Sequence, residues 1–154
     1  MQIELLADRS EFIPLLAEWH HREFGYLRPG FSIANRVAML RERSGRDALP
    51  ITFVASSGEE LLGSAMLIAH DMDTHPEHSP WLAGVFVSPS HRRHGIGRAL
   101  SEHVVREAAR LGLATLYLYT PSAQDFYSRL GWSILERTRY RDTDVTIMSH
   151  TQFI

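Results

Sequence analysis

The chain predicts a single α/β (α+β) domain, a mixed central β-sheet flanked by about four helices, and three observations carry that expectation. First, "WLAGVFV", a helix over 96–111 and "ATLYLY" form a strand–helix–strand run, which closes as a right-handed crossover between parallel strands. Second, the hairpin before this run and the strands after it are expected to pair antiparallel, so the sheet is mixed. Third, 154 residues, 44% of them hydrophobic, suit one core and leave no room for a second domain.

Each element has its local reason. "QIELLA" reads as a short strand. Ser10 is placed to cap a first helix, in which Phe12, Leu15, Leu16, Trp19 and Phe24 recur at helical spacing up to Gly25. "RPGFS" is a turn, and Ser32 opens a second helix with Ile33, Val37 and Leu40 on one face and Gly45 as its stop. "ITFVAS" and "LLGSAMLIA" flank "SGEE" as a hairpin. His70 to Pro80 is a polar loop, followed by the crossover unit, a short helix around "SAQDFYSRL", and the strands "SILERTRY" and "DVTIMS". The tail "TDVTIMSHTQFI" can complete this chain's own sheet or that of a second copy, which leaves a homodimer open.

Composition excludes several function classes. Sixteen Lys and Arg against eighteen Asp and Glu give a net charge of -2, which argues against nucleic-acid coating, because that affinity comes from summed phosphate neutralisation. The absence of Cys excludes disulfides, Cys-zinc sites and thiol catalysis. "MQIELLADRSEF" has an early acid and no apolar core, and no apolar run reaches about 18 residues. A soluble, cytoplasmic protein with no membrane partner is expected.

Against that balance, "VFVSPSHRRHGIGRAL" at 85–100 concentrates base locally. A helix N-terminus carries unpaired N–H groups and roughly half a positive charge, so small residues there bring the backbone against phosphate. Gly95 and Gly97 allow the approach, while Arg92, Arg93 and Arg98 add charge and forked hydrogen bonding. The expected ligand is a diphosphate. A Walker loop would need Gly-Lys-Ser/Thr, and a dinucleotide fingerprint would need a third glycine where Leu100 stands.

This stretch resembles the signature of the GCN5-related N-acetyltransferase (GNAT) superfamily, Arg/Gln-x-x-Gly-x-Gly/Ala after a strand, at Arg92, Arg93, His94, Gly95, Ile96 and Gly97. The family's second signature, a tyrosine followed by Leu-Gly-aromatic, is matched in "DFYSRLGW" by Tyr127, Leu130, Gly131 and Trp132. The resemblance implies the GNAT fold over 1–154 and acetyl-CoA as cosubstrate, lying where "WLAGVFV" and "ATLYLYT" splay apart. It places the pyrophosphate on the loop 92–97, with Arg98 beside it, and the pantetheine arm along the main chain of Val85, Phe86 and Val87. The side chains of Val85 and Val87 read as core. Where some members carry Asn seven residues before the tyrosine, this chain has Thr120, taken here as a cofactor contact.

The implied reaction is direct attack of a primary amine, on a small molecule or a peptide N-terminus, on the thioester. The amine must be neutral and the leaving thiolate must gain a proton. A thiol titrates near ~8.5 and a tyrosine near ~10, so Tyr127 suits the general acid. Neither splayed strand carries a carboxylate, so either a bound water relays the proton to a more distant group or the amine arrives already neutral; His20, His21, Glu23, Asp71 and Asp73 are the acceptor-site and general-base candidates. "HDMDTHPEH" supplies His70, His75 and His78 with two aspartates, but without the helical or hairpin spacing that pre-forms a zinc site, so no metal is expected. The alternative is a noncatalytic acyl-CoA-binding module, which would keep the loop but need no tyrosine donor.

Overall fold

A computed structural model of the chain describes residues 1–152, so the last two residues of the tail lie outside the described residues. β1 (Gln2–Leu5) leads through two short 3₁₀ turns into α1 (Ile13–Phe24), which is followed by α2 (Ile33–Glu42), β2 (Ile51–Ser57) and β3 (Glu60–Ile68). Then come β4 (Trp81–Val87), α3 (Ile96–Arg110), β5 (Thr115–Thr120), α4 (Gln124–Arg129), β6 (Ser133–Tyr140) and β7 (Thr143–Thr151). The strands form one seven-stranded sheet in the order β1-β2-β3-β4-β5-β7-β6, antiparallel except for β4 and β5. The expected α/β fold with a mixed sheet, parallel central strands and four helices is the one observed.

Local signals hold at most ends. Ser32 caps α2 by accepting from Asn35 N–H at 3.0 Å, and the Asn35 side chain returns a bond to the Ser32 N–H, closing a capping box. Ser10 does not cap α1: it opens a 3₁₀ turn, and the α-helix starts at Ile13 with Pro14 in its first turn, where a missing N–H costs nothing. The shift leaves Leu15 exposed and puts Ile13, Leu16, Ala17 and His20 on the inner face. Gly45 stands beyond the end of α2, donating its N–H to Pro50 O. The tail completes its own sheet, since β7 inserts between β5 and β6.

The sheet is covered on both faces. Leu16, Leu40, Val54, Met66 and Trp81 pack under α1 and α2, and Phe53, Leu67, Leu100, Val104 and Leu118 pack under α3. Truncating one such leucine to alanine costs about 2–5 kcal/mol. The feature that matters for function is a defect at the centre. β4 and β5 pair only at Trp81 and Tyr117, after which they diverge. On its other side β4 carries a bulge: Ser64 pairs with Phe86 and Met66 with Ala83, so Gly84 and Val85 occupy the length of one partner residue.

Candidate functional site

The divergence leaves an open edge on β4. Ser88 N–H bonds Leu62 O on β3, so strand alternation turns the main-chain groups of Val87 toward the gap, where the Arg92 guanidinium donates to Val87 O at 2.9 Å. Phe86 is buried, with its ring 5.5 Å from Trp19, whereas Val85 and Val87 are half-buried against the α3-side core.

The bulge is held by a chain of polar contacts that sequence reading missed. Gly84 has φ +57°, a region L side chains rarely adopt, and a Cβ there would press on the Met66 side chain at 3.0 Å, so glycine is strongly favoured. The Ser64 hydroxyl donates to Gly84 O at 2.8 Å, and its oxygen lies 2.8 Å from His20 Nε2. With the Ser64 proton committed to the carbonyl, His20 must donate from Nε2 and stays neutral. Burial pushes its pKa down to about 3, with the Arg36 and Arg43 charges adding to the effect. The serine inside the buried run "LLGSAMLIA" and the glycine inside "WLAGVFV" were the available signals.

Beyond β4 the chain turns through Arg93 at φ +67° and Gly95 at φ +78° into α3, whose N-terminus has no side-chain cap. Its first N–H groups are therefore free to meet an anion. Gly97 lies 3.5 Å, by its virtual Cβ, from Val87 Cγ2 and 3.6 Å from Phe126, ordinary contacts that leave its outer side small. Arg93 and His94 are exposed, the Ile96 side chain is core, and Arg98 pairs with Glu102 at 3.0 Å. Arg92 is drawn back across the Phe86 ring, 5.6 Å from its centroid, and toward Glu23 at 3.6 Å, so it ties the end of α1 to β4.

A cleft of about 580 Å³ opens beside the gap and brings His20, Glu23, His70, Asp71, Asp73, Val85, Thr120 and Tyr127 onto one wall or another. His21 does not line it. Thr120 Oγ1 accepts from Ala123 N–H at 2.9 Å and from Ser122 N–H at 3.4 Å, so it shapes the turn into α4. That turn presents Tyr127, which is 8% exposed rather than a surface helix residue. Burial pushes the Tyr127 phenol well above the ordinary range, opposed by Ser101, whose hydroxyl is close but has no formed hydrogen bond.

Burial also raises the Asp71 carboxyl to about 6, against the pull of Arg43 and Arg141. Asp73 pairs with Arg141 at 3.5 Å. His75 lies 3.1 Å from Glu136 and His78 stacks on Tyr117 at 4.4 Å, so these two leave the cleft to pack on the sheet. No group of three His, Cys, Asp or Glu side chains converges among the described residues. Sequence reading missed Arg28, Arg36, Arg43 and Arg141 as cleft residues, since each comes from a turn or from a helix position with no motif around it.

The Acetyltransferase (GNAT) family profile matches residues 13–132. The [ribosomal protein bS18]-alanine N-acetyltransferase of Escherichia coli (strain K12) is 36% identical over 69 residues, 41% of this chain and 47% of that protein. The chain thus matches about half the length of these curated relatives. An aminoglycoside 6'-N-acetyltransferase solved with coenzyme A superposes with a TM-score of 0.77 at 19% identity, covering 98% of this chain and 97% of the other. A ribosomal-protein-alanine N-acetyltransferase from Brucella melitensis gives 0.76 at 18% identity, covering 99% and 100%. Among the described residues no helix is long and apolar enough to cross a membrane.

Proposed function

The chain belongs to the GNAT acetyltransferase family, and from that premise we propose that it transfers the acetyl group of acetyl-CoA to a primary amine by direct attack. The observation that carries the reading is the meeting of three features at one gap: the open edge of β4, the uncapped N-terminus of α3 and the largely buried Tyr127 side chain on the cleft wall. The α3 turn, residues 92–97 with Arg98, takes the pyrophosphate through backbone N–H groups. The pantetheine arm lies along Val85, Phe86 and Val87, and an amide of the bulge faces the thioester oxygen as negative charge develops there. The His20–Ser64–Gly84 chain fixes that amide's aim without touching substrate.

Tyr127 donates to the departing thiolate. Its raised pKa keeps the proton in place across the working pH range, and a thiolate near ~8.5 in water can still draw it once desolvated in the same cleft. Asp71 takes the amine's proton: it is a cleft carboxylate without an ion pair among the described residues, with a pKa of about 6 that leaves it ionised at neutral pH yet basic enough to accept. Glu23 and Asp73 are held by arginines and shape the walls.

Release of free CoA thiol from acetyl-CoA on addition of an amine panel tests the reading. Amine-dependent release, slowed in Tyr127→Phe and in Asp71→Asn, is expected. Tight acetyl-CoA binding with no release from any amine would reduce the protein to an acyl-CoA-binding module.

A further inference from the structure

We infer that the acceptor amine also bears a carboxylate, which docks on Arg28 and Arg36 at the wall of the cleft built by α2 and the turn preceding it. This deepens the acetyltransferase reading and rests on it. Four arginines line the cleft, and their charges are not matched. Arg141 is paired with Asp73. Glu23 is taken by Arg92. That leaves Arg28, Arg36 and Arg43 with no ion pair among the described residues, against Asp71 alone.

Arg36 is the decisive member. It is 5% exposed, and its Nε is buried with no hydrogen-bond partner. A buried guanidinium N–H without a partner costs its desolvation, and buried donors in native structures are nearly always paired. The protein's own compensation is partial: the Phe31 ring lies 3.8 Å from the Arg28 guanidinium carbon and 5.4 Å from that of Arg36. Burial depresses the Arg36 pKa, and the charges of Arg28 and Arg43 add to the depression. Arg43 is depressed by burial too, with Asp71 opposing and Arg28 adding.

An anion entering the cleft relieves this mutual repulsion. A carboxylate does so with two oxygens that match the planar fork of a guanidinium. The cleft volume of about 580 Å³ lies within the range of small-molecule sites. The depth of Arg36 requires a compact acceptor whose anion reaches the wall while its amine meets Asp71 and the thioester. Cationic amines face the same surplus of positive charge and are disfavoured.

The test compares amino carboxylates with their methyl esters and with polyamines of matched length, following CoA thiol release. The carboxylates are expected to show at least tenfold higher kcat/KM. Arg36→Gln and, separately, the exposed Arg28→Gln are expected to reduce that discrimination toward unity while acetyl-CoA affinity holds; Arg28→Gln keeps the test sound if Arg36→Gln fails to fold. Esters or polyamines used as well as the carboxylates overturn the proposal, as does discrimination that survives in Arg28→Gln. Calorimetric titration of glutarate into the CoA complex supplies a readout independent of turnover. Glutarate binding that weakens in Arg28→Gln supports the anion site even where no amine releases CoA, an outcome that would sink only the acetyltransferase reading. No glutarate binding to the native protein overturns the anion site.

Discussion

Replacing His20 by glutamine should change how the protein responds to acid. His20 is 1% exposed and held neutral, its pKa about 3 against an ordinary 6.5. In the window between those values the unfolded chain binds a proton that the folded chain refuses, so stability is full above 6.5 and is lost as pH falls toward about 3. One pKa unit is about 1.4 kcal/mol, so by pH ~4.5 this histidine alone withdraws a few kcal/mol, on the order of 2–3, a large share of a typical folding free energy. Asp71 works in the opposite sense. Its carboxyl is raised from 3.8 to about 6, so between those values the folded state holds the extra proton and gains stability as pH falls. The native profile therefore conceals both slopes where they overlap.

His20→Gln separates them, because glutamine Nε2 can still donate to Ser64 Oγ while nothing at the position titrates. Urea unfolding of both proteins at several pH values from ~7.5 to ~4.5 should show the stability difference moving in the variant's favour by about 1.4 kcal/mol per pH unit below ~6. All other groups are common to both proteins and cancel. A difference that stays constant over this range would mean that His20 is not held neutral by burial, and the proton assignment in the His20–Ser64–Gly84 chain would fall with it.

Tyr127→Phe should preserve acetyl-CoA affinity and lower kcat by about 10- to 100-fold, the low end for general acid catalysis since water can partly substitute. Because burial lifts the phenol above the ordinary tyrosine range, neither native enzyme nor variant should lose rate on the alkaline side below pH ~10; a native falling limb there that vanishes in the variant would contradict the burial. Asp71→Asn should lower kcat/KM by about 100-fold or more and abolish a limb that rises with pH through about 6, the sign expected of a base that works unprotonated; a limb surviving in a steady-state profile would assign the base elsewhere. Gly97→Val places γ-methyls beyond Cβ contacts already at 3.5 Å and should weaken acetyl-CoA binding by about tenfold or more; unchanged affinity in calorimetry of a folded variant would remove the α3 turn from the cofactor site.

What the sequence determined by itself was local. The loop 92–97, the tyrosine at 127 and the crossover between "WLAGVFV" and "ATLYLY" each lie within one short segment or one βαβ unit, where spacing along the chain fixes spacing in space. The start of α1 escaped because Pro14 outweighed the cap offered by Ser10. Tertiary structure alone decided the rest. Arg28 from a turn, Arg36 and Arg43 from α2 and its end, and Arg141 from the β6–β7 hairpin share a cleft only because long-range packing brings those segments together. Likewise Asp71 is an ordinary loop aspartate in the sequence, and its chemistry comes from being covered. His20, Ser64 and Gly84 are 44 and 20 residues apart in successive steps, and they act as one chain because β3 pairs with β4 beneath α1. Solvation and partner choice are properties of the assembled neighbourhood, and a residue's pKa, its unpaired charge and the aim of its amide are set there rather than by its neighbours in the chain.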